Sequence, residues 1–155
     1  MQCDDRRISF LRECLTLVID RANILQDSYS QFITTDGFDF HKEIKIFFVG
    51  EVAQDAGGLM REWVTEITKV IFSETTGLFK WSRGEHDASY LIYSKAKQSY
   101  PDFEHLGLLR FAGAILGKAI FEKIPVIPTL CRPLLRRLLM TPNDPTLEDL
   151  RDYDY

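Results

Sequence analysis

Leu106-Gly107-Leu108-Leu109-Arg110-Phe111-Ala112-Gly113-Ala114-Ile115-Leu116-Gly117-Lys118-Ala119-Ile120-Phe121 is the most apolar stretch of the chain, and the fold turns on how it is read. Leu108, Ala112, Ile115 and Ala119 form one stripe at helical spacing, and Leu109, Gly113, Leu116 and Ile120 form a second. A helix carrying both should be covered on most sides and form the core. Gly113 and Gly117, four apart, suggest a close-packing device rather than a membrane dimer motif, because Lys118 interrupts the run and no segment approaches the roughly 20 apolar residues of a membrane span. Pro125 and Pro128 should break the helix off, since proline lacks the N–H and clashes with the preceding turn.

Working upstream, Leu78 to Ser82 and Tyr90 to Ser94 are short, aromatic and β-branched, separated by Arg83 to Ser89 with Gly84, which predicts a hairpin with a longish loop. Before it, Trp63, Ile67, Val70 and Ile71 recur at helical spacing, with Arg61, Glu62, Glu66 and Lys69 off the stripe. Ile44, Ile46 and Phe48 alternate with Glu43, Lys45 and Phe47, so a strand with one inward face is expected, ended by Gly50. Leu25, Tyr29 and Phe32 mark a short helix stopping near Thr34-Thr35-Asp36-Gly37. Leu11, Cys14, Leu15 and Val18 fall at i, i+3, i+4 and i+7, which predicts an amphipathic helix over about Ile8 to Ile19. Downstream, Leu130, Leu134, Leu135, Leu138 and Leu139 mark one more helix, and Thr146-Leu147-Glu148-Asp149 looks like the capped start of another. The chain reaches Tyr155 a few residues later, so it is expected to be part of something longer.

These elements predict one α+β, mostly helical domain, with a central buried helix surrounded by other helices and short strands. Composition agrees: of 155 residues 45% are hydrophobic and 27% charged, enough apolar surface to offset the entropy of ordering. The net charge, 19 Lys+Arg against 23 Asp+Glu, is −4, and apart from Arg132, Arg136 and Arg137 the basic residues are scattered. Nucleic-acid binding is therefore not expected, because it draws on clustered Lys and Arg. Neither is a membrane partner. Cys3, Cys14 and Cys131 match no zinc or disulfide spacing, and the polar opening of the chain does not resemble an export signal, so a reduced protein of the cytoplasm or nucleus is expected.

No active site emerges from the residues alone. The strand-to-helix stretch Val49 to Gly58 lacks the second glycine and the lysine of a P-loop, so Gly57 and Gly58 are expected to supply unusual backbone angles or close packing at a turn. Glu51, Asp55 and Glu62 could be imagined as acid–base carboxylates or ligands of a hard metal. With Arg61 among them they suggest instead a partly buried ion-pair network that fixes the turn. His41, His86 and His105 stand alone, without metal spacing. None of the three cysteines has the neighbourhood of an activated nucleophile: Cys14 lies on the first apolar stripe, Cys131 opens a leucine-rich helix beside Pro133, and Cys3 is near the terminus. No catalytic residue, cofactor or metal site is expected within the chain.

Several stretches taken together resemble the amino-terminal lobe of HECT-type ubiquitin ligases. They are Arg21-Ala22-Asn23-Ile24-Leu25-Gln26-Asp27-Ser28, Phe48-Val49-Gly50-Glu51, Asp55-Ala56-Gly57-Gly58-Leu59-Met60-Arg61-Glu62-Trp63, Gly77-Leu78-Phe79, His105-Leu106, Phe111 to Ala119, and Asp149-Leu150 with Asp152 and Asp154. Their order and spacing match the family over nearly the whole chain. The resemblance implies a ligase that accepts ubiquitin from a conjugating enzyme as a thioester on its own cysteine and passes it to a substrate lysine. It also implies that residues 1–155 are the large subdomain of that lobe, a scaffold, with the docking subdomain and the lobe bearing the Thr-Cys nucleophile elsewhere. Where members commonly carry an Asn-Pro-x-Ser turn, this chain has Ser94-Lys95-Ala96-Lys97-Gln98-Ser99. In some members the hairpin surface holds a second, non-covalent ubiquitin, which makes Trp81, Tyr90 and Tyr93 the candidate contacts here. Alternation puts Phe79 and Trp81 on one face and Tyr90 and Ile92 on one face, so one aromatic set is expected inward and another outward. The alternative is a helical interaction module without transfer chemistry.

Overall fold

A computed structural model describes residues 14–35, 40–52, 56–83, 88–93, 95–100, 104–126, 128–140 and 147. Strand β1 (Leu15–Ile19) leads through a 3₁₀ turn (Arg21–Asn23) into helix α1 (Ile24–Thr34), and strand β2 (Ile44–Phe48) follows. β1 and β2 are parallel, in register from Leu15 opposite Ile44 to Ile19 opposite Phe48. On β2, Ile44, Ile46 and Phe48 are buried while Lys45 and Phe47 face out, the alternation expected from the sequence. Gly50 then turns the chain at a φ of +81°, a conformation that favours glycine.

β1 corrects the expectation of a helix over Ile8 to Ile19. Leu17 and Ile19 are buried, Thr16 and Val18 face out, and Cys14, placed on the apolar stripe of that helix, is an exposed residue ahead of the strand. A run this short carries both periods. The strand is decided by pairing with β2, which local spacing does not reveal. Residues 8–13 lie outside the described residues.

Helix α2 (Ala56–Ile71) covers β2 and packs on α1 and on α4 (Glu104–Phe121). Trp63, Val64, Ile67 and Ile71 of α2 and Leu108, Phe111, Ala112, Ile115 and Ala119 of α4 are buried in one core with the inward residues of the strands. The antiparallel hairpin of β3 (Phe79–Arg83) and β4 (Ala88–Ile92) pairs Phe79 with Ile92 and Trp81 with Tyr90. Beyond it lie the one-turn helix α3 (Ala96–Ser99) and, after α4, helix α5 (Arg132–Leu138). The mostly helical α+β class follows from this order. Thr129 to Cys131 adds to the hairpin through the Tyr90 amide, 2.7 Å from the Thr129 carbonyl, and the Cys131 amide, 3.0 Å from the Tyr90 carbonyl. The capped helix start at Thr146 lies outside the described residues apart from Leu147.

α4 is less enclosed than its two stripes suggested. The stripe from Leu108 to Ala119 is inside, Leu109 and Leu116 are half-buried, and Ile120 is 76% exposed. Nothing lies within 4 Å of a Cβ built on Gly113 or Gly117, so neither is a close-packing device; Ala112 and Ala119 bring the helix near the core. The helix ends before either proline. Lys123 takes a left-handed φ of 56°, its amide bonds the Ile120 carbonyl, and the Ile124 amide bonds the Ala119 carbonyl, the paired closure that satisfies free carbonyls at a helix end.

Gly107 is required by close approach. A Cβ there would collide with the hydroxyl of Tyr29, whose ring packs edge-on against Phe111 at 5.7 Å. Gly107→Ala should therefore destabilise the protein by about 1–3 kcal/mol, the range for overpacking, although alanine is the better helix former by about 1 kcal/mol. Tyr29→Phe in the same chain should recover much of that loss in a urea titration.

Candidate functional site

The carboxylates expected to fix the turn before α2 do meet a cation, but it is Arg21. From the 3₁₀ turn after β1, its guanidinium grips both oxygens of Glu51, with Nη2 to Oε2 at 3.0 Å, and reaches Glu62 Oε1 at 2.8 Å through Nη1. The same guanidinium stacks 3.9 Å above the Phe48 ring. Arg61, the expected cation, is exposed and has no ion-pair partner among the described residues. Asp55 lies outside the described residues. Gly57 and Gly58 are exposed members of the first turn of α2, in helical backbone rather than at unusual angles.

Arg21 holds the Glu51 carboxyl below its ordinary value of 4.5, chiefly through the hydrogen bonds between them. The Glu51 carboxylate is thus committed to its ion pair with Arg21. Because Arg21, Glu51 and Glu62 are each about 40% exposed, solvent screens the network and its contribution is that of a surface cluster. Arg21→Ala should lower the melting temperature by only a few degrees at pH 7. The folded value of Glu51 is depressed, so its contribution is complete above the ordinary glutamate range and fades as pH falls below it. The difference from the parent should shrink between pH 5 and pH 3 in a set of melting curves.

Beside this cluster, Trp63 of α2 is fully buried and donates its Nε1–H to Ser28 Oγ of α1 at 3.0 Å. Asp20 caps the 3₁₀ turn by accepting the Ala22 amide at 2.9 Å, and Asp27 Oδ2 accepts the Asp20 amide at 2.8 Å. β1, α1, β2 and α2 are therefore joined through polar side chains as well as apolar packing.

The hairpin presents the second group of candidates. Trp81 is 46% exposed and Ile92 44%, while Phe79, on the same face, is buried and stacks on Phe72 at 4.3 Å. Tyr90 is half-buried, edge-on to Phe72 at 5.2 Å, and Tyr93 is half-buried with its amide on the Leu78 carbonyl. The alternation thus divides within one face along a diagonal: Phe79 and Tyr90 turn toward Phe72, while their cross-strand partners Ile92 and Trp81 are exposed.

Cys131 is buried at the N-cap of α5. The Cys14 thiol points at the Leu15 carbonyl, 3.9 Å away, an acceptor that is no base. Among the described residues no group of three His, Cys, Asp or Glu could hold a metal, and no helix is long and apolar enough to cross a membrane. His41 lies edge-on to Phe121 at 5.9 Å; Cys3 and His86 lie outside the described residues.

Residues 65–155, from the body of α2 onward, match the family described as the HECT-domain (ubiquitin-transferase). The chain belongs to the HECT-domain family. It is 32% identical over 145 residues to a human protein named probable E3 ubiquitin-protein ligase HERC4, covering 94% of this chain and 13% of that protein. Similarity to the fission-yeast probable E3 ubiquitin-protein ligase mug30 is 33% over 140 residues, 90% of this chain and 16% of the relative. With the rat E3 ubiquitin-protein ligase NEDD4 it is 32% over 135 residues, 86% and 15%. The chain thus spans about a seventh of the length of these relatives.

The geometry gives the HECT resemblance a physical content. Arg21 and Ser28 come from the first quoted stretch, Glu51 from the second, Glu62 and Trp63 from the third, and they bond one another. Sequence reasoning missed Arg21 because it lies 30 residues from Glu51. Its place inside the first quoted stretch was the signal available.

Proposed function

We propose that this chain is the large subdomain of the amino-terminal lobe of a HECT-type ubiquitin ligase, a scaffold without the ubiquitin-accepting cysteine. Its parent takes ubiquitin as a thioester from a conjugating enzyme and passes it to substrate lysines, in the cytoplasm or nucleus. The observation that carries the scaffold reading is the use of five motif residues: Arg21, Ser28, Glu51, Glu62 and Trp63 are spent on joining β1, α1, β2 and α2 rather than on a reactive centre. The cysteines support it. A thioester acceptor must expose its sulfur and lose its proton to a base, whereas Cys131 is buried and the Cys14 thiol meets a carbonyl.

The test is to charge the parent protein with ubiquitin after replacing Cys3, Cys14 and Cys131 by alanine together. Retention of a reductant-sensitive ubiquitin adduct supports the reading; its loss, with the circular dichroism of the parent kept, contradicts it.

The hairpin face is the part of this scaffold proposed to touch ubiquitin non-covalently. Among Trp81, Tyr90 and Tyr93, Trp81 offers the most open aromatic surface, and aromatic residues left at a surface are favoured anchors. Titrating labelled ubiquitin with the chain should give weak shifts that disappear with Trp81→Ala. Absence of shifts at millimolar concentration removes the site. Tyr90→Ala is the poorer variant, because Tyr90 also packs on Phe72.

A further inference from the structure

Among the described residues, the edge of β1 away from β2 is met by side chains rather than by another strand. In the parallel pair the Leu15 amide bonds the Glu43 carbonyl and the Ile19 carbonyl accepts the Val49 amide, so odd-numbered residues of β1 face β2. Thr16, Val18 and Asp20 turn their backbone groups to the opposite edge. Leu15-Thr16-Leu17-Val18-Ile19 has no charge, proline or glycine, the composition of a segment that pairs with copies of itself. Edge strands are usually blunted by lysine, proline or a bulge, and β1 has none of these.

Helix α1 returns along that edge instead. Gln31 Oε1 accepts the Val18 amide at 3.1 Å, and Gln31 Nε2 donates to the Val18 carbonyl at 2.7 Å. Only one orientation of the amide satisfies both, and Nε2 is steadied by the Asp27 carbonyl at 3.1 Å. One turn earlier, the Asp27 carboxylate takes the Asp20 amide. Gln31 thus presents to β1 the donor and acceptor that a neighbouring strand would present.

We propose that Gln31 and Asp27 stand in for a third strand and keep β1 from pairing with β1 of a second copy of this chain. The second copy is the fitting partner because a bare strand edge is self-complementary about a two-fold axis. Beside that edge, Val18 is 52% exposed and Phe47, its neighbour in register, 41%, so two copies would also join apolar surface.

Gln31→Met keeps the length of the side chain and removes the amide. In it the Val18 amide should exchange with deuterium about tenfold faster or more, with Leu17 and Ile19 protected as before. Light scattering should then show association that grows with concentration and is abolished by adding Val18→Lys at the exposed position. A Gln31→Met protein that stays monomeric at every concentration, or association that survives Val18→Lys, would overturn the proposal. Gln31→Glu covers the case in which methionine disturbs the fold: it keeps the acceptor but sets a carboxylate against the Val18 carbonyl. Val18 exchange should again rise about tenfold, and unchanged exchange would overturn the proposal equally.

Discussion

Trp63→Ala should lower the unfolding free energy by about 3–5 kcal/mol, the range for deleting a buried aromatic side chain. In a chain of this size that is roughly 10 °C or more of melting temperature. The side chain is fully buried in α2, a helix packed against α1, β2 and α4, so little solvent is available to fill the space, and the Ser28 hydroxyl, in a residue 1% exposed, loses its donor. Trp63→Phe separates the two effects. It keeps most of the volume and should lose about 1–2 kcal/mol, with Ser28→Ala adding little once the indole N–H is gone. Urea unfolding followed by circular dichroism of the four proteins closes the cycle. Equal and additive losses would mean that the indole hydrogen bond does not join α1 to α2.

Lys118→Ala carries the second large effect. Lys118 is 1% exposed in the last turn of α4, and its ammonium donates to the Lys42 carbonyl at 2.9 Å and pairs with Glu122 at 2.6 Å. Alanine removes three methylenes from the interior, about 0.8 kcal/mol each, and the hydrogen bond from the ammonium to the Lys42 carbonyl. A loss of about 3 kcal/mol is expected on those two counts. Lys118→Met restores the buried stem and should recover more than half, because Glu122 is 38% exposed and water can solvate it. If the methionine protein is as unstable as the alanine one, the charge rather than the stem dominates.

Residues that show a single period were legible in the sequence. The strand from Ile44 to Phe48, the stripes of α1 and α2, and the hairpin follow from spacing alone, and the structure has them. β1 was not legible, since Leu15 to Ile19 fits two periods and its partner is a strand on the far side of α1. Arg61 was assigned to the ion pair because it adjoins Glu62 in sequence. On a helix adjacent residues diverge, and Glu62 turned to Arg21 while Arg61 turned to solvent. Lys118 was visible as a charge in an apolar run, but its carbonyl partner lies 76 residues away. Gly113 and Gly117 misled for a related reason: a stripe of small residues does not say which side of a helix is covered.

The central proposal is that this chain is part of a ubiquitin transferase yet does not itself accept ubiquitin. Incubating the 155-residue chain with activating enzyme, a conjugating enzyme, ubiquitin and ATP, then resolving the products with and without reductant, tests it most directly. The account predicts no reductant-sensitive ubiquitin adduct on the chain; a thioester mapped to Cys3, Cys14 or Cys131 would contradict it.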